Sequence, residues 1–403
     1  MGFEARAIRE EEREECLDLW CTVWSGDSRP YFHRYFYGDV EWLPYYTQVG
    51  VLDGKLVSAV HICKRTVACG DFRLTMGGIA NVATLPEYRG HGYNTACLER
   101  AIAVMEADAM DFSLLGTGIN SYYARLGFAT LPWPGLQGTV RSGFTPRPTI
   151  YTIRQATGED LPAIRAVYTQ YNSHRPIAVQ RSEAYWRDWI GVSPQKIPGT
   201  PSDRLLVAVG DSQKIVGYIW IHEDEGHTHV RESGVSAAGT WMAGEDSTRA
   251  LLEAAAGNAL QNGRPEIRFH IAPEPAVLDT LSTLLPELQR PVGTGSMARL
   301  LHRESLLQSV AMGLNERWIA AGRPRGALTF ATPYGPIRLD ANRDFLQVEQ
   351  TQDETQALPQ ETLFGLLFGM LSPEQATADT GLHSLLAALF PRNAPVFWPA
   401  DGF

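Results

Sequence analysis

A turn with two glycines, Arg89-Gly90-His91-Gly92-Tyr93-Asn94, has the residue types of an anion-binding site. It follows small and β-branched residues from Thr75 to Thr84 and precedes apolar residues at helical spacing from Cys97 to Met105. The pattern therefore predicts a strand, the turn and then a helix. A helix N-terminus offers unpaired N–H groups and a positive dipole end, glycine lets the backbone approach closely, and Arg89 adds a cation. The predicted chemistry is phosphate binding, although a string of this kind also occurs in ordinary loops.

Two neighbouring tyrosines follow the next predicted strand, Phe112 to Gly116. They stand in a short predicted helix, from Asn120 to Phe128, that Gly127 ends. A phenol with a pKa of about 10 stays protonated at neutral pH and can give its proton to a leaving group, so Tyr122 and Tyr123 are both candidate general acids. The two side chains lie about 100° apart around the helix. The alternative is that both rings pack in a core.

The C-terminal segment is unusual for a chain end. Residues 394–403 are apolar and aromatic, whereas chain ends are usually polar and frayed. We therefore expect the segment to dock on the protein. The terminal carboxylate of Phe403, with a pKa of about 3.5, is ionised at neutral pH and could accept a proton from an ammonium group. The alternative is that the tail only packs.

Three other features carry weaker signals. The aromatic stretch from Trp24 to Tyr37 could line a pocket for an amine that pairs with Asp27, or it could form helix core. The segment from His222 to His229 has metal-ligand residue types but is typical of a solvated hairpin tip, so no metal is expected. The five cysteines lack CxxC spacing and are expected to be reduced, mostly buried thiols.

The elements that must position these residues occur twice along the chain. Each copy has a strand leading into an amphipathic helix and then two alternating strands around a turn, at 6–20 and 49–60 in the first copy and at 153–168 and 205–221 in the second. The same α/β unit is therefore predicted twice. A segment with two prolines, 143–148, is the predicted linker between the copies.

A third region begins near Met297. Ala327 to Gln352 predicts two or three alternating strands, and helical spacing follows from Leu363 to Met370 and from Leu382 to Leu389. The predicted fold class is thus α/β and α+β. It comprises two tandem units of mixed sheet flanked by helices, over 1–145 and 150–290, and a smaller α+β domain over 295–403.

Composition limits the class of function. The chain has 403 residues, of which 44% are hydrophobic and 20% charged, and this length suits two or three domains. The net charge of -10 argues against nucleic acid as a partner and suits a cationic, amine-bearing substrate. Neither a signal peptide nor a run of about 18 apolar residues is found, so we expect no membrane span and a cytoplasmic protein.

The phosphate turn resembles motif A of the GCN5-related N-acetyltransferases, Arg/Gln-x-x-Gly-x-Gly/Ala, with Asn94 at its last position. The string from Tyr123 to Phe128 resembles the Tyr-x-x-x-Gly-Phe element of the same family, whose tyrosine protonates the departing thiolate of CoA. The resemblance implies acetyl-CoA as donor substrate and no metal. It implies cofactor binding by the strand residues Val82, Ala83 and Thr84 along the pantetheine arm, with Arg89, Gly90, His91, Gly92, Tyr93, Asn94 and Thr95 around the pyrophosphate.

Over nearly its whole length the chain resembles the enhanced-intracellular-survival family, in which two tandem acetyltransferase units precede a sterol-carrier-like domain. The segments 297–307 and 363–369 carry the likeness to that last domain. The family implies direct acetyl transfer to a primary amine of an aminoglycoside, polyamine or lysine, with the Phe403 carboxylate as general base. It also implies a homo-oligomer, a hexamer. In the second unit, Trp241 to Arg249 stands at the place of the phosphate turn and carries two acids, so no cofactor is predicted there.

Two alternatives remain open from the sequence. A carrier of lipids or other hydrophobic ligands could use Phe364, Phe368 and the leucine-rich helices of the third region to line a cavity. A protein lysine acetyltransferase is the nearer alternative, because only the acceptor would differ.

Overall fold

The computed structural model describes residues 2–24, 29–200, 202–224, 226–236 and 241–403, without the side chains of 212 and 241–245. In chain order the strands are Phe3–Ala7 (β1), Thr47–Leu52 (β2), Lys55–Cys69 (β3), Phe72–Thr84 (β4), Phe112–Gly116 (β5), Ala129–Pro134 (β6), Leu136–Thr139 (β7), Thr152–Gln155 (β8), Gly199–Thr200 (β9), Asp203–Val209 (β10), Ile215–Glu223 (β11), Thr228–Val235 (β12), Glu266–Phe269 (β13), Val292–Leu300 (β14), Ala327–Phe330 (β15), Ile337–Asp340 (β16) and Gln347–Gln350 (β17). The α-helices are Arg13–Trp24 (α1), Arg29–Tyr37 (α2), Tyr93–Ala107 (α3), Asn120–Ala124 (α4), Leu161–Asn172 (α5), Trp241–Gln261 (α6), Pro275–Leu284 (α7), Arg303–Ala320 (α8), Gln360–Leu367 (α9), Pro373–Ala376 (α10) and His383–Leu389 (α11).

The first sheet has the strand order β1-β2-β3-β4-β5-β14-β6. β4 and β5 are parallel, and the other neighbouring strands are antiparallel. Asp53 and Gly54, with φ of 49° and 89°, make the tight turn between β2 and β3, as the sequence predicts. Two hydrophobic cores cover the sheet, one shared with α1 and α2 and the other with α3.

The second sheet has the order β7-β13-β12-β11-β10-β8, with β9 beside β10. Strand β8, helix α5 and the β10–β11 hairpin repeat the arrangement of β1, α1 and the β2–β3 hairpin, which confirms the predicted repeat of elements. In both copies an arginine on the first strand forms an ion pair with an acid in the turn that follows. The pairs are Arg6 with Glu12 and Arg154 with Asp160, each with an N–O distance of 2.6 Å.

The two sheets exchange strands. β7, which directly follows β6 of the first sheet, pairs with β13 of the second, and β14 returns to lie between β5 and β6. Successive β14 residues belong to different cores, with Met297 in one and Ala298 and Leu300 in the other, so burial on both faces favours an interior strand. Met297 to Leu300, near the expected start of the third region, thus lie in the first sheet. The domain limits over 1–145, 150–290 and 295–403 remain a prediction, and strand pairing crosses them.

The third region packs on the first unit. Its three antiparallel strands, β15, β16 and β17, confirm the strands predicted between Ala327 and Gln352. α8, α9 and α11 share one hydrophobic core with the first sheet, and Phe112 of β5 lies 6.0 Å from Phe364 and 5.3 Å from Phe368 between ring centroids. A single core thus joins residues that are more than two hundred positions apart in the chain.

Two expectations from composition can be compared with this fold. None of the helices in the described ranges is long and apolar enough to cross a membrane.

All five cysteines are free thiols, and four of them are buried. Burial raises the pKa of Cys69 and Cys97 to about 12, which keeps both protonated at neutral pH. The thiols are therefore inert core residues, as the sequence predicts.

Candidate active site

A cleft opens in the first unit where the parallel strands β4 and β5 separate. The two strands pair only between Met76–Gly78 and Phe112–Leu114. Beyond these residues the end of β4, the start of α3, the end of β5 and α4 surround a cavity of about 1140 Å³. A cleft of this size can hold a large ligand that adds its own hydrogen bonds to the free edge of β4.

The predicted phosphate turn forms one wall of the cleft. Gly90 and Gly92 have φ of 82° and 80°, a conformation in which other residues are strained, and α3 begins at Tyr93 directly after Gly92. Arg89 donates from Nε to the carbonyl of Thr84 at 3.2 Å. The N–H groups of the first turn of α3 therefore face the cleft from an uncapped helix start.

The structure brings together nearly all the residues predicted to bind the cofactor. The cleft is lined by Val82, Ala83, Thr84, Arg89, Gly90, Gly92, Tyr93, Asn94 and Thr95. His91 is the exception, since it is outside this lining and its ring stacks on Tyr93 with centroids 5.6 Å apart. Their role in binding remains a prediction.

Asn94, the departure from the motif, has a structural role. Its Nδ2 donates to the carbonyl of Ala83 and to Oγ of Ser58, both at 3.1 Å, so the side chain ties α3 to β4. Its Oδ1 accepts from the hydroxyl of Tyr122 at 3.3 Å, and the same hydroxyl lies 3.2 Å from Oγ1 of Thr95. The amide side chain thus fixes the walls of the cleft relative to each other.

These hydrogen bonds distinguish the two candidate tyrosines. The Tyr122 hydroxyl is engaged with the start of α3, whereas the Tyr123 hydroxyl has no hydrogen bond to any residue that the structure describes. Both side chains line the cleft. Burial, with a smaller contribution from Tyr122, raises the pKa of Tyr123 to about 12. Tyr123 is therefore a buried phenol that keeps its proton and has a free O–H to donate.

A bulge in β4 is a site feature that the sequence reasoning missed. Ala83 pairs with Ala59 and Ala80 pairs with His61, so Asn81 and Val82 together oppose one residue of β3. Asn81 has φ of 49°, and its buried Nδ2 has no hydrogen-bond partner within the described part of the chain. Asparagine tolerates this conformation better than most residues, so a lone Asn among the small residues of β4 was an available signal.

The cleft also contains residues outside the predicted cofactor site. They come from α1 and α2, from the end of β5 and from α4: Val23, Trp24, Tyr31, Phe32, Ile79, Ala80, Tyr88, Leu115, Gly116, Thr117, Gly118, Ile119 and Arg125. Trp24 and Tyr31 are exposed aromatic rings beside the cleft. They confirm that part of the aromatic stretch from Trp24 to Tyr37 reaches a pocket, while Phe36, in the same stretch, is core.

The C-terminal tail is docked, as predicted, and its last residue lines the cleft. Val396, Trp398 and Ala400 lie in the hydrophobic core of the second unit. The indole N–H of Trp398 donates to Oδ1 of Asn172 at 3.1 Å. The ring of Phe403 packs so closely on β4 that a Cβ at Gly78 would lie 2.2 Å from its Cζ. The tail therefore extends from the second unit to the cleft of the first.

A buried cluster of charges holds this tail. The Arg181 guanidinium bonds both carboxylate oxygens of Asp401, at 2.8 and 2.9 Å, and both of Glu232, at 3.0 and 2.6 Å. The side chains of all three residues are 0% exposed. Arg34 of α2 also donates to the carbonyl of Gly402 at 2.8 Å. The second unit thus holds the side chain of Asp401, and the first unit holds the backbone of Gly402, directly before Phe403.

Two predicted features lie partly or wholly outside the described residues. Asp27, the candidate partner of a substrate amine, is in the segment 25–28, which the structure does not describe. In the second unit α6 begins at Trp241, and Asp246 forms an ion pair with Arg249 on the same helix. The prediction that no cofactor binds there remains untested.

Comparison with known proteins identifies the first unit. Residues 4–131 match the family model of an acetyltransferase (GNAT) domain. No curated protein matches the sequence. The fold is similar to that of a probable N-acyltransferase from Enterococcus faecalis V583, with 17% identity and a TM-score of 0.72, and to that of a GCN5-related N-acetyltransferase from Anabaena variabilis, with 16% identity and a TM-score of 0.71. Eis1 from Mycobacterium abscessus is also similar, with 14% identity and a TM-score of 0.63. All three likenesses cover 100% of both chains. Residues 4–131 thus form an acetyltransferase domain of the GNAT type, and the protein is an acyltransferase that uses acetyl-CoA as donor.

Proposed function

We propose that this protein transfers the acetyl group of acetyl-CoA to a primary amine of a cationic substrate, by direct attack of the amine in the cleft of the first unit. The observation that carries the proposal is the meeting of three parts in one cavity. These are the phosphate turn, the free phenol of Tyr123 and the terminal residue Phe403.

The residues around the cleft suit the donor. Gly90 and Gly92 adopt φ values that favour glycine, and a Cβ at either position would meet open space, so nothing fills the volume above the turn. The first turn of α3 and Arg89 would hold the pyrophosphate. Residues 79–84 of β4 have an edge that β5 does not pair, where the amides of the pantetheine arm would bond as an added strand does.

Tyr123 would act on the departing sulfur. Its pKa of about 12 lies above the value of about 8.5 for an ordinary thiol, so complete proton transfer to the thiolate is uphill and would go forward only as water returns a proton to the phenolate. The free O–H would first donate a hydrogen bond to the sulfur and pass on its proton as the C–S bond breaks. Tyr122 is less suited, because its hydroxyl already contacts α3.

The carboxylate of Phe403 would take the proton of the attacking ammonium, directly or through a water molecule. The support for this role is positional. The tail is held by Arg181 and Arg34, and its last residue reaches the cleft that Tyr123 also lines. Simple packing would explain the burial of Trp398, but it does not require the chain end to lie in the cleft.

Three features support a cationic acceptor. The net charge of the chain is -10. Exposed aromatic rings, those of Trp24 and Tyr31, stand beside the cleft, and aromatic faces attract ammonium groups. An anionic base also favours a cationic substrate over a neutral one. Aminoglycosides, polyamines and lysine side chains share this chemistry.

The carrier alternative has little support in the third region. The apolar cavity among α8, β15–β17 and α9 has a volume of about 20 Å³, which is too small for a lipid. Phe364 and Phe368 do not line it, since both are fully buried against Phe112. Acetyl transfer is therefore the function that the geometry supports best.

One glycine added after Phe403 tests the role of the terminal carboxylate. We expect the extended chain to lose about 100-fold in kcat while its Kd for acetyl-CoA, measured by calorimetry, stays unchanged, because only the proton acceptor is displaced. The control is Phe403→Tyr, which keeps the terminal carboxylate and should retain most of the activity. Full activity of the extended chain would reject Phe403 as the base.

The acceptor class needs a separate experiment. Acetyl transfer to aminoglycosides, polyamines and lysine-containing peptides can be compared by the release of the CoA thiol. We expect small polyamines or aminoglycosides to have the higher kcat/KM. A clear preference for peptides would identify a protein lysine acetyltransferase instead.

A further inference from the structure

One end of the second sheet concentrates imidazole and carboxylate groups away from the cleft. His222 and His229 pair across the β11–β12 hairpin, and β13 lies beside β12 in parallel. This arrangement gathers His222, Asp224, His227, His229, Glu266 and His270, which belong to the hairpin, to β13 and to the residue after it. Four imidazoles at one sheet end are unusual for a surface that only faces solvent.

Three of these side chains place ligand atoms close together. Asp224, His227 and His229 each offer one atom, and these atoms all lie within 4.8 Å of one another. Nε2 of His229 is 2.9 Å from Oδ2 of Asp224, and Nδ1 of His227 is 3.8 Å from Oδ1. Tetrahedral zinc, with bonds of about 2.0–2.1 Å, separates its ligand atoms by about 3.3 Å. The distance from His229 to Oδ2 of Asp224 is close to that value, and the limit of 4.8 Å for the whole set leaves room for an ion among the three atoms.

The outer nitrogens of both histidines also have partners. Nε2 of His227 lies 3.1 Å from Oε2 of Glu266, and Nδ1 of His229 lies 3.3 Å from Nε2 of His270. A histidine that binds a metal through one nitrogen usually donates the other N–H to such an acceptor, which fixes the ring and its tautomer. Arg268 lies 3.0 Å from the same nitrogen of His227, so in the metal-bound form, where that nitrogen donates its proton to Glu266, Arg268 cannot donate to it.

Backbone groups hold the carboxylate of Asp224 in place. Its Oδ1 accepts from the N–H groups of Gly226 and His227 at 3.1 and 2.9 Å, which leaves Oδ2, the oxygen that faces His229, for an ion.

We propose that Asp224, His227 and His229 bind one divalent transition-metal ion, with zinc as the reference ion, at the β11–β12 end of the second sheet. Three protein ligands leave a further coordination position to solvent. The ion would join the turn after β11, through Asp224 and His227, to His229 of β12. The sequence alone favoured a solvated hairpin tip, because Glu266 and His270 reach the cluster only through the pairing of β13.

A second group of ligand-type residues shows why the proposal does not extend to every cluster. Asp39, His61 and Cys63 also place ligand atoms within 4.8 Å, but all three are buried. Arg65 donates to both oxygens of Asp39 at 3.0 Å and neutralises its charge. Burial raises the pKa of the Cys63 thiol well above its usual range. This group is a paired core cluster with a protonated thiol.

Titration of the full-length, chelator-treated protein with zinc chloride in a calorimeter tests the proposal. We expect one zinc ion per chain with a Kd in the micromolar range or tighter, and a rise in Tm when zinc is present. His227→Ala combined with His229→Ala should weaken binding by at least about 100-fold. His33→Ala, which removes an exposed histidine of α2, is the matched control and should bind zinc like the wild type.

A conservative variant tests the outer partner. Glu266→Gln should keep the fold and weaken zinc binding by about tenfold, because the His227 ring loses its carboxylate partner. Cobalt chloride should give the intense visible absorption of a four-coordinate site in the wild type and in His33→Ala, but not in the double variant. Circular dichroism and the Kd for acetyl-CoA report whether each variant is folded.

The results that overturn the proposal are specific. They are the absence of zinc binding at millimolar concentration to the wild type, or equal affinity of the wild type and the folded double variant. The first would leave a hydrogen-bonded cluster without a metal, and the second would put the ion elsewhere. Neither depends on whether the protein acetylates amines.

Discussion

The two α/β units begin from the same arrangement and differ in what lies beside their parallel strands. In the first, β4 and β5 pair over three residues each, and a cavity of about 1140 Å³ opens beyond them. In the second, β12 and β13 also pair over three residues each, at Thr228–Val230 and Ile267–Phe269. There, Glu232 of β12 is bonded to Arg181, which holds Asp401, and the turn at 399–401 packs on β12.

Short parallel pairing occurs in both sheets, and the residues beside it determine what can bind there. The first unit has glycines with positive φ before α3, whereas the second has buried charges that bind the chain's own tail. The first unit can thus bind an anionic ligand, whereas the second binds the carboxylate of Asp401 from the same chain. The second copy would contribute to the reaction by fixing the residue that reaches the first.

The largest effect is expected from placing charge on the phosphate turn. Gly90→Asp combined with Gly92→Asp adds two carboxylates at the helix start and strains two residues with φ of 82° and 80°. We expect the affinity for acetyl-CoA, measured by calorimetry, to fall by more than about 100-fold. A matched control is Gly143→Asp with Gly263→Asp, because these glycines have φ of 69° and 68° and open space around them. An equal loss in the control would show that strain or net charge, and not the turn, is responsible.

A smaller effect is expected from removing the free phenol. Tyr123→Phe should lower kcat by about 100-fold and leave the Kd for acetyl-CoA within about threefold, because only the proton donor is lost. Tyr122→Phe removes a hydroxyl that contacts Asn94 and Thr95, so it should change the Kd more than kcat. Stopped-flow and calorimetric measurements on both variants separate the two effects. The reverse pattern would make Tyr122 the donor.

The pH dependence follows from the direction of the shift. An acid acts only while it is protonated, and the pKa of Tyr123 is raised to about 12. Ionisation of Tyr123 should therefore cause no fall in kcat below about pH 11. A pH profile of kcat in single-turnover experiments checks this. A fall with an apparent pKa of about 10 that disappears in Tyr123→Phe would contradict the buried environment described for this residue.

The smallest effect on kcat is expected from removing the buried cation that holds the tail at Asp401, outside the cleft. Arg181→Met leaves Glu232 and Asp401 buried without their cation, which should cost about 3–5 kcal/mol of unfolding free energy and lower kcat about tenfold. Adding Glu232→Gln and Asp401→Asn should restore much of the stability. Arg187→Met is the control, since the Arg187 side chain is exposed and its pair with Asp188 should contribute little to the free energy of unfolding. Urea unfolding measures the stability, and an unchanged kcat in a destabilised Arg181→Met would argue against a positioned tail.

Much of the first unit could be predicted from sequence because its signals are local. The turn at Asp53-Gly54 needs only two residues that tolerate positive φ, and the turn at Gly90 and Gly92 needs only a strand before it and a helix after it. The place of β14 could not be predicted in this way. Its apolar residues are compatible with several partners, and only the packing of α8 and α9 on the first sheet selects a position between β5 and β6.

The sequence by itself determined the phosphate turn, the pair of candidate tyrosines and the apolar character of the tail, since each depends on residues within a few positions of one another. The tertiary structure decided which tyrosine keeps a free hydroxyl, where Asn81 places a bulge in the cleft and what holds Asp401. These outcomes depend on contacts such as Tyr122 with Asn94 and Arg181 with Asp401, which are 28 and 220 residues apart in the chain. Pairings over such separations are set by the burial of whole elements, and short-range sequence patterns do not encode that burial.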